Sequence, residues 1–186
     1  MTQPTTFTLQ PFSPTAQTTD LAISGSLVRS QSVLSIVYRF EGDFDKVVIP
    51  PVGEAGDRRD QLWQQTCFEF FLGEGPKKTE TDPYWEFNLS PTGDWNVFSL
   101  AGYRQGLQEE RALETLPFTV RAAQTQLQLA LTVDVGELVD PAQPLRLGVS
   151  AVVLLASGEE TFWAIAHPGP TPDFHHPESF ALELLP

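Results

Sequence analysis

Period-two alternation of apolar and polar residues dominates this chain. In Val33–Phe40, Leu34, Ile36, Tyr38 and Phe40 fall on one side, and Ser35, Val37 and Arg39 on the other. In Gln126–Val133, Leu127, Leu129, Leu131 and Val133 alternate with Gln126, Gln128 and Thr132. Successive side chains of a strand point to opposite faces, so both segments predict strands with one buried face. Leu145–Leu155 predicts a longer strand with Leu145, Leu147, Val149, Ala151 and Val153 aligned. Shorter strands are predicted at Thr5–Leu9, Leu21–Arg29, Val47–Ile49, Cys67–Leu72, Tyr84–Leu89, Asn96–Ala101, Phe118–Ala122, Thr161–Ala166 and Phe180–Leu184. Ser90-Pro91-Thr92-Gly93-Asp94 predicts a hairpin turn in which Gly93 takes a positive φ. Two short helical pieces are expected, Glu109–Leu116 and a single turn at Val135–Val139 that Pro141 ends.

Many short strands with one apolar face each, and no helix long enough to cover them, must cover one another. The expected fold is all-β, a two-sheet antiparallel β-sandwich rather than a barrel, formed as a single domain over residues 1–186. The 16 prolines and 13 glycines are spread along the chain as turn punctuation rather than gathered in a linker.

Charge narrows the partners. The chain carries 24 Asp and Glu against 11 Lys and Arg, a formal charge of −13, and its basic runs stop at pairs such as Arg58-Arg59 and Lys77-Lys78. Such a surface repels phosphate backbones and anionic lipid, so neither nucleic acid nor a membrane surface is an expected partner. The start, MTQPTTFTLQPFSPT, has no basic segment followed by an apolar one, and a cytoplasmic location is expected. A single cysteine, Cys67, excludes an internal disulfide and a thiolate-only metal site.

The candidate chemistry lies on the polar phases of otherwise apolar strands. Glu69 shares its phase with Cys67 and Phe71, while Glu86 and Asn88 oppose Trp85, Phe87 and Leu89. Mid-strand polar groups are costly if buried alone, so they either face water as an ordinary sheet face or form a paired polar cleft. With Arg39, such a cleft would suit an array of sugar hydroxyls. A glycosidase would need Glu69 and Glu86 at a defined separation, which nothing in the spacing specifies. Trp63 sits at a polar loop edge, where a large ring can stack on a sugar or seal the end of a sandwich; the direction of Trp163 is open, because Phe162 and Ala164 make both faces apolar. The proline-rich segment His167–Pro177 holds the weak metal candidates His167, Asp173 and His175, although a loop packed across the sandwich end explains the same residues. No phosphate loop, nucleophile elbow or His-Glu-x-x-His element is present. No cofactor is expected.

Three segments together, Leu62–Leu72, Tyr84–Asn96 and Phe162–Pro168 with Pro172–His176, resemble the DOMON-like proteins of bacteria, which are related to family 9 carbohydrate-binding modules. The resemblance implies a β-sandwich that binds a saccharide between two tryptophans, with a glutamate and polar strand residues gripping hydroxyls. Carried onto this chain, it implies Trp63 and Trp163 as the rings, Glu69 as the glutamate, and Glu86 and Asn88 as further contacts. Other DOMON domains hold haem through methionine and histidine; the only methionine here is Met1, and a bis-histidine arrangement would need His167 with His175 or His176. A non-catalytic binding module is thus expected, with a protein-docking domain as its rival.

Overall fold

A computed structural model describes residues 3–53, 56–76 and 78–186; Met1 and Lys77 lie outside them. Among the described residues there are twelve strands, three 3-10 turns and no α-helix. They are β1 (Thr5–Pro11), β2 (Ala22–Ser30), β3 (Val33–Glu41), β4 (Cys67–Glu74), β5 (Tyr84–Leu89) and β6 (Trp95–Leu100), followed by β7 (Gln108–Glu109), β8 (Phe118–Ala122), β9 (Gln126–Asp134), β10 (Leu145–Leu154), β11 (Glu160–Ala164) and β12 (Leu182–Leu184).

The strands pair antiparallel in the order β7-β6-β5-β4-β10-β11-β1-β2-β3-β9-β8, with β12 added to β10. This path folds into two leaves that β1 joins. Its first half, Thr5–Leu9, pairs with β2 in the back leaf, and Gln10 and Pro11 pair with β11 in the front leaf. The expected sandwich is the observed one, and the core lies where the alternation places it. Leu34, Ile36, Tyr38 and Phe40 of β3 and Leu127, Leu129, Leu131 and Val133 of β9 meet Phe68, Phe70 and Leu72 of β4, Phe87 and Leu89 of β5 and the odd-numbered residues of β10. Across this core the Tyr38 hydroxyl donates to the main-chain carbonyl of Glu69 at 2.6 Å, pinning the middle of β4 to the back leaf. The Ser90–Asp94 turn closes as expected, with Gly93 at φ 97°.

The Glu109–Leu116 helix does not form. Gln108 and Glu109 pair with β6, and the Glu110 amide continues the ladder onto the Val97 carbonyl, because an open sheet edge satisfies more backbone groups than one isolated helical turn. The single turn at Val135–Val139 does form, its Val139 N–H donating to the Val135 carbonyl at 3.0 Å. The Val47 segment makes only an isolated bridge to Leu155, and the last strand is shortened to three residues by a 3-10 turn at Pro177–Ser179.

A second apolar cluster covers the outer face of the front leaf. Phe71, Tyr84, Phe98, Leu100 and Phe180 form it, with Trp63 and Phe174 packed against them. The segment between β11 and β12 lies over this face. At Gly148 a Cβ would come within 3.1 Å of the Ser179 carbonyl oxygen, so the missing side chain lets the 3-10 turn rest on β10. The Ser179 hydroxyl donates to the Asp173 carbonyl at 3.0 Å and ties the segment together.

Candidate functional site

The register of the front leaf sets the site. Ser150 lies opposite Glu69, which lies opposite Asn88, and Gly148, Phe71, Glu86 and Phe98 form the neighbouring row. All of these face away from the core. Glu69 and Glu86 are therefore diagonal neighbours on adjacent strands, a placement within reach of long side chains. Above them opens a hollow of about 600 Å³. Its floor holds Glu69, Phe71, Glu86 and Val152, and its walls are Trp63, Leu100, Leu107, Phe162 and Phe174, with Arg104, Glu160 and His175 at polar positions.

The loops bring the walls. Trp63 rides on a 3-10 turn, Leu62–Gln64, which Gln61 enters with a left-handed φ of 58°, and its ring meets Phe98 edge-on at 5.9 Å. Phe174 and Phe162 meet edge-on at 6.2 Å. Arg104 also has a positive φ, 53°, in the turn after β6; its backbone N–H donates to the Tyr84 hydroxyl at 3.3 Å and its guanidinium donates to Asp173 at 2.9 Å. Tyr103 donates to the other Asp173 oxygen at 2.5 Å. Burial opposes the Asp173 charge, but these hydrogen bonds outweigh it and hold its carboxyl below the ordinary value.

His175 bridges loop and floor. Its Nδ1 is 2.8 Å from the Tyr84 hydroxyl. Since that hydroxyl accepts from Arg104, its own proton is free for Nδ1, which assigns the remaining ring proton to Nε2, on the side of Glu86. Burial, with the Arg104 charge adding to it, lowers the His175 pKa to about 4, so the ring is neutral near pH 7. At 3.8 Å from Glu86, Nε2 of this neutral ring makes no ion pair.

The two carboxyls are the unusual groups. Glu69 is 3% exposed, and its Oε1 and the neighbouring Ser150 hydroxyl are buried without a hydrogen-bond partner. Burial, then the nearby Glu86, raise the Glu69 pKa well above its ordinary value, and the adjacent Ser150 hydroxyl works the other way. Glu86 is raised too, chiefly by burial, while the Asn88 amide donating to its Oε1 at 2.8 Å works the other way. Two nearly buried, neighbouring carboxyls with perturbed titration in the lining of a hollow mark it as a candidate site.

Of the expected site residues, Trp63, Glu69 and Glu86 come together around the hollow, and Asn88 stands behind Glu86 as its support. Trp163 does not join them. It is 2% exposed on the inner face of β11, and its indole donates to the Thr161 hydroxyl at 2.9 Å. Its neighbour Phe162 takes the outer face. Arg39 is elsewhere as well, exposed on the back leaf, because β3 lies on the other side of the core. The hollow thus lies on the outer face of one sheet. The weak metal candidates separate: the His167 Nε2 lies 2.8 Å from the Gln10 carbonyl, whereas Asp173 is engaged by Tyr103 and Arg104, and His175 by Tyr84. Among the described residues no three His, Cys, Asp or Glu side chains form a metal-binding group. Phe71, Arg104, Phe162 and Phe174 are among the lining residues that had no place in the set expected from sequence. Phe71 was readable from its shared phase with Glu69; the other three depend on loop paths and on which face of β11 turns outward.

No protein-family model and no curated protein matches the chain. Solved structures do. A Bacteroides uniformis protein described as carbohydrate-binding superposes with a TM-score of 0.64 at 13% identity, over 92% of this chain and 83% of that one. A family 9 carbohydrate-binding module from Caldicellulosiruptor kristjanssonii, in complex with glucose, superposes with a TM-score of 0.54 at 9% identity, over 98% and 82%. At such identities the shared property is the fold.

Proposed function

We propose that the chain is a non-catalytic saccharide-binding module, related to family 9 modules and to the DOMON-like proteins, and that the hollow on its front leaf is the binding site. The observation that carries this reading is an open, aromatic-walled hollow of ligand size whose lining holds two nearly buried carboxyls, Glu69 and Glu86. A pyranose has an apolar face that suits a ring such as Trp63, and hydroxyls that donate to carboxylates which water reaches poorly. Glu69 and Glu86 accept those hydroxyls, the neutral His175 Nε2–H donates, and Phe162 and Phe174 take the place expected for a second tryptophan. The fold shared with a module that holds glucose supports the same reading. Titration with glucose, cellobiose and other small sugars, followed by tryptophan emission, tests it. Saturable binding that Trp63→Ala weakens by about tenfold is the expected result. A flat response at millimolar sugar overturns the proposal.

A further inference from the structure

The charges around the hollow do not balance. Glu69, Glu86 and Glu160 line it, and the only cation among its described lining residues is Arg104. That guanidinium is committed to Asp173 at 2.9 Å, and His175 is neutral near pH 7. When ionised, the Glu69 and Glu86 carboxylates accept hydrogen bonds and donate none, so the hollow offers an acceptor site that no cation among its described lining residues is free to neutralise. A neutral hydroxyl can fill that site and leaves the charge uncompensated. An ammonium fills it and neutralises the charge, and the faces of Trp63, Phe162 and Phe174 favour a cation near them. A metal ion would want more donors than this diagonal pair offers, and no third His, Cys, Asp or Glu completes a group among the described residues.

Resting on the saccharide reading above, we infer that this hollow selects a sugar carrying a free, protonated amino group, held by the Glu69 and Glu86 carboxylates against the aromatic walls. The class is an amino sugar with its amine unacetylated. The raised pKa of both carboxyls is what two acids in a dry floor show before such a cation arrives, and a bound ammonium would restore their charge.

Calorimetry with glucosamine, glucose and N-acetylglucosamine on the whole chain, at a pH where the amine is protonated, tests the inference. The expected result is glucosamine binding about tenfold or more tighter than either neutral sugar, the scale of a charge-assisted hydrogen bond. Glu69→Gln keeps the shape of the floor and removes a buried acid, so the variant folds; it should bring glucosamine down to the affinity of glucose. Equal affinities for glucose and glucosamine, or N-acetylglucosamine matching glucosamine, overturn the selectivity while saccharide binding stands. Undiminished glucosamine selectivity in Glu69→Gln overturns the assigned carboxylate. Silence from all three sugars overturns the saccharide reading together with this inference.

Discussion

On the back leaf, β2, β3 and β9 bury every second residue and leave the intervening ones half-buried or exposed. On the front leaf, β4 is buried on both faces over Cys67–Gly73, and β5, β6 and β10 are nearly so. One core serves both leaves, so the difference lies outside it. The back leaf meets water with Ser35, Arg39 and Thr132, whereas the front leaf is roofed by the segment leading to β12 and by the turn carrying Trp63. A sheet covered on both sides can keep polar groups away from water, and among the described residues only there does a carboxyl acquire a raised pKa. The candidate site is a by-product of double coverage: it exists where the roof is incomplete.

The contrast can be broken at the roof. Phe71 is 1% exposed on the outer face, amid Tyr84, Phe174, His175 and Phe180. Phe71→Ala should lower unfolding stability by about 3–5 kcal/mol in denaturant melts, as for a core phenylalanine, whereas Ser35→Ala on the back leaf's outer face should change it by less than about 0.5 kcal/mol. Similar small effects for both would show that the roof is not packed.

The folded state holds His175 neutral, with a pKa of about 4 against an ordinary 6.5. Its contribution is complete above pH 6.5 and is lost as pH falls toward 4, a fall on the order of 3 kcal/mol that His175→Gln should remove from the acid limb of the stability curve. Glu69 has the opposite sign. Its raised pKa favours folding below the ordinary carboxyl value and loses that contribution as pH rises through the folded one. Glu69→Gln should therefore be the more stable form at neutral and alkaline pH and gain nothing at acid pH, as read from denaturant melts across pH. A loss of stability at neutral pH would mean that the carboxylate has a partner in the free protein.

Much of this was legible along the chain. Alternation in Val33–Phe40 and Gln126–Val133 identifies inner faces because a strand's period of two turns one side to the core whatever its neighbours are. The shared phase of Glu69 with Phe71, and of Glu86 with Asn88, likewise set those groups on one face of their strands. Trp163 was ambiguous for a physical reason: Phe162 and Trp163 are both apolar, and only pairing with Val152 and Ala151 decides which one enters the core. Arg39 has the right periodicity on the wrong leaf, since periodicity names a face without naming the sheet. Arg104, Phe174 and His175 reach the hollow through loops whose course depends on a left-handed turn, the Ser179 bond and the space above Gly148. Local sequence thus determined the strands, their buried faces and the acidic character of the chain, because backbone geometry couples these to neighbouring residues alone. Tertiary structure decided which outer face was roofed, where the roof stayed open, and which carboxyl was left dry and unpaired, because those follow from contacts between residues far apart in the chain.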